Sequence, residues 1–137
     1  MTGGIEWLVD AHGCDPAFLR DPARVRALCD GVVAALDLHV VGEPLTHAFP
    51  GPGGVTALYL LRESHLACHT YPESGLATFN LYCCRERPAF EWAAACRELL
   101  AATRVAVSSH RRGAHGVIRH DPVSGSGGDG SGRGAAP

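Results

Sequence analysis

Twelve residues, Arg62-Glu63-Ser64-His65-Leu66-Ala67-Cys68-His69-Thr70-Tyr71-Pro72-Glu73, bring together a hydroxyl nucleophile, two imidazoles, a thiol and two carboxylates. Apolar residues precede them over 55–61, and a pair of thiols, Cys83-Cys84, closes the next apolar run. Four chemistries can be drawn from such a set. A metal site would use His65 and His69 with Cys68 between them. That spacing gathers ligands on a helix, whereas Pro72 and the surrounding apolar alternation predict a strand. A thiol hydrolase would pair Cys68 or Cys84 with His69, and only composition speaks for it. A nucleotide loop would use the glycines at 51, 53 and 54, whose spacing matches neither GxGxxG nor GxxxxGK[ST]. The fourth chemistry is self-processing. A serine attacks the carbonyl of its own preceding peptide, the resulting ester undergoes β-elimination, and the serine becomes an N-terminal pyruvoyl group. This needs a Ser, a base such as His, and a polar group on the carbonyl oxygen. The residue types are present, but by themselves they do not single this chemistry out.

Composition narrows the choice. All twelve basic residues are arginine. Without a lysine the chain cannot anchor pyridoxal phosphate, so any carbonyl-dependent amine chemistry needs a carbonyl from elsewhere. A net charge of -2 gives no basis for binding nucleic acid or an anionic membrane. No apolar run has the length of a membrane-spanning helix, and the start of the chain lacks the basic-then-apolar pattern of a secretion signal. A cytoplasmic location is expected, with six reduced thiols rather than a disulfide framework.

The elements that must position these groups follow from periodicity. A first strand is expected over 6–11. Asp15-Pro16 and Asp21-Pro22 are helix starts, each with an Asp cap and a Pro in the first turn. The second carries Val25, Leu28, Cys29, Val32 and Leu36 on one stripe, where Cys29 reads as core. Extended segments at 38–41 and 45–49 lead to a Gly/Pro turn at 50–54, followed by strands over 55–61 and 76–84. Pro88 is expected to open a second helix with Ala89, Trp92, Ala93, Cys96, Leu99 and Leu100 buried. A short strand at 104–108 comes last, with order fading from His110. The expected fold is α+β, a two-layer sandwich of a mostly antiparallel sheet with two helices on one face. It forms one domain over 1–120, with a disordered Gly/Ser-rich tail at 121–137. The second sheet face, if apolar, suits a homodimer.

Over 54–84 the sequence resembles the bacterial type of S-adenosylmethionine decarboxylase, the self-processing pyruvoyl enzymes of spermidine synthesis. Glu63-Ser64-His65, His69-Thr70-Tyr71-Pro72-Glu73 and Cys84 carry the resemblance. Weaker echoes are Leu8-Val9-Asp10, Gly13-Cys14-Asp15, His47-Ala48-Phe49, Gly54-Val55-Thr56 and Arg112-Gly113. The resemblance implies a proenzyme cut between Glu63 and Ser64 into a β chain 1–63 and an α chain 64–137, with Ser64 becoming the covalent pyruvoyl cofactor. It implies that His69 assists processing with support from Thr56, and that the substrate amine forms a Schiff base with the new ketone. It further implies that Cys84 returns a proton to the substrate, Phe49 and Tyr71 sandwich adenine, and Glu73 holds the ribose. The family works without metal, on a small-molecule substrate, as a homodimer of cleaved protomers, and its product is the aminopropyl donor for spermidine.

This sequence departs from the family pattern at Trp7, where histidine is frequent, at Tyr71 for tryptophan, at Asn80 for aspartate, and in having Cys83 beside Cys84. Two other functions fit the scaffold. One is a pyruvoyl-dependent arginine or ornithine decarboxylase, which would lack the adenine clamp. The other is an inactive regulatory homologue, which should lack Ser64 or Cys84. In an unbroken strand Ser64 and His69 have opposite parity, so the functional reading requires a bend near the cut.

Overall fold

The computed structural model describes residues 3–113. Among these residues six strands form one antiparallel sheet: β1 (Gly4–His12), β2 (Leu45–Ala48), β3 (Val55–Leu61), β4 (Ser64–Tyr71), β5 (Leu76–Cys83) and β6 (Arg104–Arg112). Their spatial order is β2-β3-β4-β5-β1-β6. Helices α1 (Pro16–Leu19), α2 (Pro22–Ala35) and α3 (Trp92–Leu100) lie on one face. The two-layer α+β sandwich expected from the sequence is therefore the observed fold. The expected tail at 121–137 lies outside the described residues.

Period-two alternation decides which side chains enter the core. Val9 and Ala11 of β1, Ala57 and Tyr59 of β3, Leu66 and Cys68 of β4, and Phe79 and Leu81 of β5 are buried. They meet Val25, Leu28, Cys29 and Val32 of α2 and Trp92, Cys96 and Leu100 of α3. Both Asp-Pro starts cap their helices as expected: the Asp15 and Asp21 side chains accept the Ala17 and Ala23 N–H groups at 2.8 and 2.9 Å. Cys29 is in the core, as its place on the stripe requires. The other sheet face carries Leu8, Leu58, Leu60, His65, His69 and Asn80, and no described element covers it.

Several boundaries differ from expectation. The third helix begins at Trp92, not Pro88, and Ala89 is exposed. The Trp92 N–H bonds the Phe90 carbonyl two residues back, a tight turn that drives Trp92 inward instead of starting a helix earlier. β6 runs on to Arg112 because β1 offers it partners as far as Gly4. Residues 38–41 contribute only a Val40–Leu61 bridge. The next segment is ladder-paired from Leu45 to Ala48 and stops short of Phe49.

Candidate active site

β3 and β4 are joined by a hairpin of only two residues, Arg62 and Glu63, with Leu61 paired to Ser64. Ser64 has φ +139°, a backbone region that L-residues avoid. Such a residue stores on the order of 1–3 kcal/mol and persists only where its surroundings hold it. The irregularity is confined to Ser64: β4 runs unbroken and regularly paired from Ser64 to Tyr71, so it does not supply the bend that would bring Ser64 and His69 together within one copy.

Its surroundings are specific. Glu63 is only 5% exposed. Its carboxylate accepts the His39 backbone N–H at 3.1 Å and lies 2.7 Å from His39 Nδ1, with an Arg87 guanidinium nitrogen 3.6 Å away. Burial pushes this carboxyl up, but the His39 hydrogen bonds outweigh it and hold the group below its ordinary value. The Glu63 backbone carbonyl accepts the Cys84 N–H at 2.8 Å. That is the carbonyl a Ser64 hydroxyl would attack, and an N–H donor fixed on it stabilises the charge that attack develops. β5 brings Cys84 there through the Ser64–Cys83 pair. Cys83 points into the core, and burial pushes its thiol up to about 11. Cys84 is half-buried and lines a cleft with Gly4, Arg85 and Arg111. Of the two adjacent thiols it is the accessible one.

A second cluster lies at the far end of β4. Thr56 and His69 are register partners on the uncovered face, with Thr56 Oγ1 2.9 Å from His69 Nδ1. Phe49, Gly54, Thr56, His69, Tyr71 and Glu73 line a cleft of about 300 Å³. Phe49 and Tyr71 are 51% and 41% exposed, so two aromatic faces stand open to solvent. Close packing makes this cleft. A Cβ on Gly54 would sit 2.0 Å from the Thr70 carbonyl oxygen, so only glycine lets the 50–54 turn lie against β4. Buried Thr70 donates to the Leu19 carbonyl at 2.7 Å and accepts the Val55 N–H at 2.8 Å, pinning β3 and β4 to α1.

The structure therefore brings Glu63, Ser64 and Cys84 together, and separately Thr56, His69, Phe49, Tyr71 and Glu73. His69 lies five residues along β4 from Ser64, about 16 Å at the rise of a strand. Cys68 is in the core while His65 and His69 stand on the opposite face, so these three do not converge as ligands. His65 instead begins a polar chain across four strands. Its Nε2 is 2.7 Å from Asn80 Oδ1, Asn80 donates to Glu6 at 2.7 Å, and Arg112 donates to Glu6 at 3.1 Å. Sequence reasoning misses His39 and Arg87. Each lies 24 residues from Glu63 along the chain, and no local pattern links them to it.

Residues 5–113 match the family model described as S-adenosylmethionine decarboxylase. The chain is 37% identical over 110 residues to the S-adenosylmethionine decarboxylase proenzyme of Parasynechococcus marenigrum, covering 80% of this chain and 84% of that one. It is 34% identical over 110 residues to the proenzyme of the same name from Prochlorococcus marinus, covering 80% and 86%. Among solved structures, the crystal structure of the adenosylmethionine decarboxylase from Aquifex aeolicus superposes with a TM-score of 0.68 at 30% identity, covering 88% of this chain and 96% of that one.

Proposed function

Since this chain belongs to the S-adenosylmethionine decarboxylase family, and is a carboxy-lyase acting on that substrate, we propose that it is made as a proenzyme that cuts itself between Glu63 and Ser64. The observation that carries this reading is the strained Ser64, at φ +139°, with the preceding carbonyl held 2.8 Å from the Cys84 N–H. A rigid, high-energy peptide with its oxygen already hydrogen-bonded is poised for attack by its own side chain. The cut leaves a β chain 1–63 and an α chain 64–137. The hairpin fits a pyruvoyl group derived from Ser64, because the residue is half-buried, tethered to β4, and adjacent to an accessible thiol. When present, that group supplies a carbonyl that withdraws the electrons released as carbon dioxide leaves.

The chain's own residues do the rest. The Cys84 thiol returns a proton to the substrate carbon. Phe49 and Tyr71 bracket the adenine, and their faces favour the nearby sulfonium charge. Glu73 accepts from the ribose hydroxyls. His69, oriented by Thr56, moves the proton that self-cleavage requires. One copy cannot unite these groups, because its His69 is about 16 Å along the strand from its Ser64. Two copies packed by their uncovered faces about a two-fold axis perpendicular to β4 would run their strands in opposite directions, so the His69 end of one would meet the Ser64 end of the other. Leu8, Leu58 and Leu60, 40%, 45% and 62% exposed on that face, support such a homodimer. All six thiols are free, as suits the cytoplasm we assign. Retention of Phe49, Tyr71 and Glu73 around one cleft favours S-adenosylmethionine over arginine or ornithine.

Intact mass under denaturing conditions tests this. Two fragments meeting at Glu63 and Ser64 are expected, the second lighter by ammonia than simple hydrolysis would leave it. Ser64→Ala should give one uncut, inactive chain. A wild-type chain that stays whole after long incubation sinks the reading.

A further inference from the structure

We propose that Arg87 forms, with the Cys84 N–H, a receiving site for the carboxylate that self-cleavage leaves on Glu63, a site empty of its ligand until the chain is cut. This rests on the cleavage reading above. The first observation is an unsatisfied donor. Arg87 Nε is buried without a hydrogen-bond partner, the sole such side-chain atom among the described residues. Buried polar groups in folded proteins are almost always paired, and a buried guanidinium N–H left idle points to a partner not yet in place.

The second observation is that the nearest anion is already taken. Glu63 Oε1 and Oε2 accept from His39 Nδ1 at 2.7 Å and the His39 N–H at 3.1 Å. Arg87 approaches Oε1 only to 3.6 Å, beyond hydrogen-bonding reach. Arg87 thus pairs with the Glu63 side chain by charge alone, through Nη2 and without a hydrogen bond, and its Nε edge takes no part. Its Nη1 donates a hydrogen bond to the Glu86 carbonyl at 3.3 Å.

Cleavage changes the charge at this place. After the acyl group moves to Ser64 Oγ, elimination removes the Ser64 Cα proton to the base and breaks the bond between Oγ and Cβ. The electron pair leaves with the oxygen, so the departing group is the Glu63 α-carboxylate. Hydrolysis of the residual enamine, as its imine, consumes one water and releases ammonia. A neutral peptide has become an anion on the residue that already carries a buried carboxylate, and two such charges repel strongly in a poorly solvated site. The carbonyl oxygen bonded to the Cys84 N–H becomes one of the two new carboxylate oxygens. Arg87 is three residues further along the same segment, with a guanidinium edge suited to paired carboxylate oxygens.

The test follows processing of full-length Arg87→Gln and Arg87→Lys by intact mass, with hydroxylamine to trap ester. Loss of one charge-assisted hydrogen bond to the leaving group should slow elimination about 10- to 100-fold, so that Arg87→Gln accumulates a hydroxylamine-cleavable chain while ester formation is little changed. Arg87→Lys, which keeps charge but not the fork, should fall between. The defect should persist in a Glu63→Gln background, where no side-chain carboxylate remains to explain it. Arg87→Gln should also lower Tm more in the cut protein than in uncut Ser64→Ala. Equal Tm losses, a defect that vanishes with Glu63→Gln, or unchanged elimination overturns the receiving site. Should Arg87→Gln fail to fold, Arg87→Lys decides by the same readouts. If the wild-type chain itself is never cut, the cleavage reading fails first; if it is cut and Arg87→Gln matches it, only the receiving site falls.

Discussion

The two ends of β4 are built to opposite designs. At its start the chain is confined: a two-residue hairpin, a strained Ser64, a 5% exposed Glu63 and a carbonyl fixed by Cys84. At its end the groups stand open, with Phe49 and Tyr71 about half exposed and the His69 ring bonded, among the described residues, to Thr56. The confined end suits a reaction the chain performs on itself, where the substrate is a peptide bond that must not move. The open end suits a ligand that enters and leaves. On the reading proposed above, neither end is a whole active site, and a second copy packed face to face completes each with the other.

Mixing variants would break this comparison most directly. His69→Ala should slow self-cleavage about 100- to 10,000-fold, as loss of a general base does. Co-refolding it with Ser64→Ala should restore cutting of the His69→Ala chain, since the other copy supplies the imidazole. Absence of rescue in a verified mixed dimer would return both groups to one chain and refute the composite site.

The two thiols sharpen the confined end. Cys84→Ala keeps the backbone N–H on the Glu63 carbonyl, so cutting should persist while decarboxylation falls about 100-fold for want of a proton donor. Cys83→Ser should cost about 1–3 kcal/mol of stability through a buried hydroxyl and leave turnover near normal. Urea melts and carbon dioxide release, measured on both, would expose a reversed assignment.

A smaller effect is expected at Thr56. Thr56→Val removes the hydroxyl 2.9 Å from His69 Nδ1. Cutting should slow about tenfold, the worth of one hydrogen bond of about 1 kcal/mol or slightly more, and a cleavage time course reads it. An unchanged rate would mean that His69 is oriented by the partner copy instead.

Smallest is the acid dependence of the hairpin. Glu63 sits below its ordinary 4.5 when folded, so its contribution is fully present above that pH and is lost as pH falls through the lower folded value. Glu63→Gln in uncut Ser64→Ala should flatten the fall of Tm between neutral and acid pH. Parallel curves would show that the His39 clamp contributes nothing.

Much of the fold is legible in residue order alone. The Asp-Pro caps, the stripe of α2 and the alternation of β3, β4 and β5 are local patterns, and local patterns survive folding when they agree with burial. Pro88 misleads because a proline permits a helix start without compelling one, and packing of Trp92 chooses a later place. Edge strand β6 reads short in the sequence because its outer half, through His110 to Arg112, is polar and exposed; pairing with β1, not burial, extends it. Of the site, the Glu63 to Glu73 run and Cys84 are visible along the chain, whereas the His39 and Arg87 contacts to Glu63 span 24 residues each and leave no local trace.

Residue order alone settles the sheet-and-helix alternation, the Glu63 to Glu73 run and, through its match over 5–113, the family. These depend on residue order and short-range periodicity, which the chain carries unfolded. Folding is what sets Ser64 and His69 toward opposite ends of one strand, turns Cys84 rather than Cys83 to the cleft, and brings His39 and Arg87 around Glu63. Those facts depend on strand register and on contacts across long stretches of chain, and a shift of one residue in register would reverse which face each side chain takes.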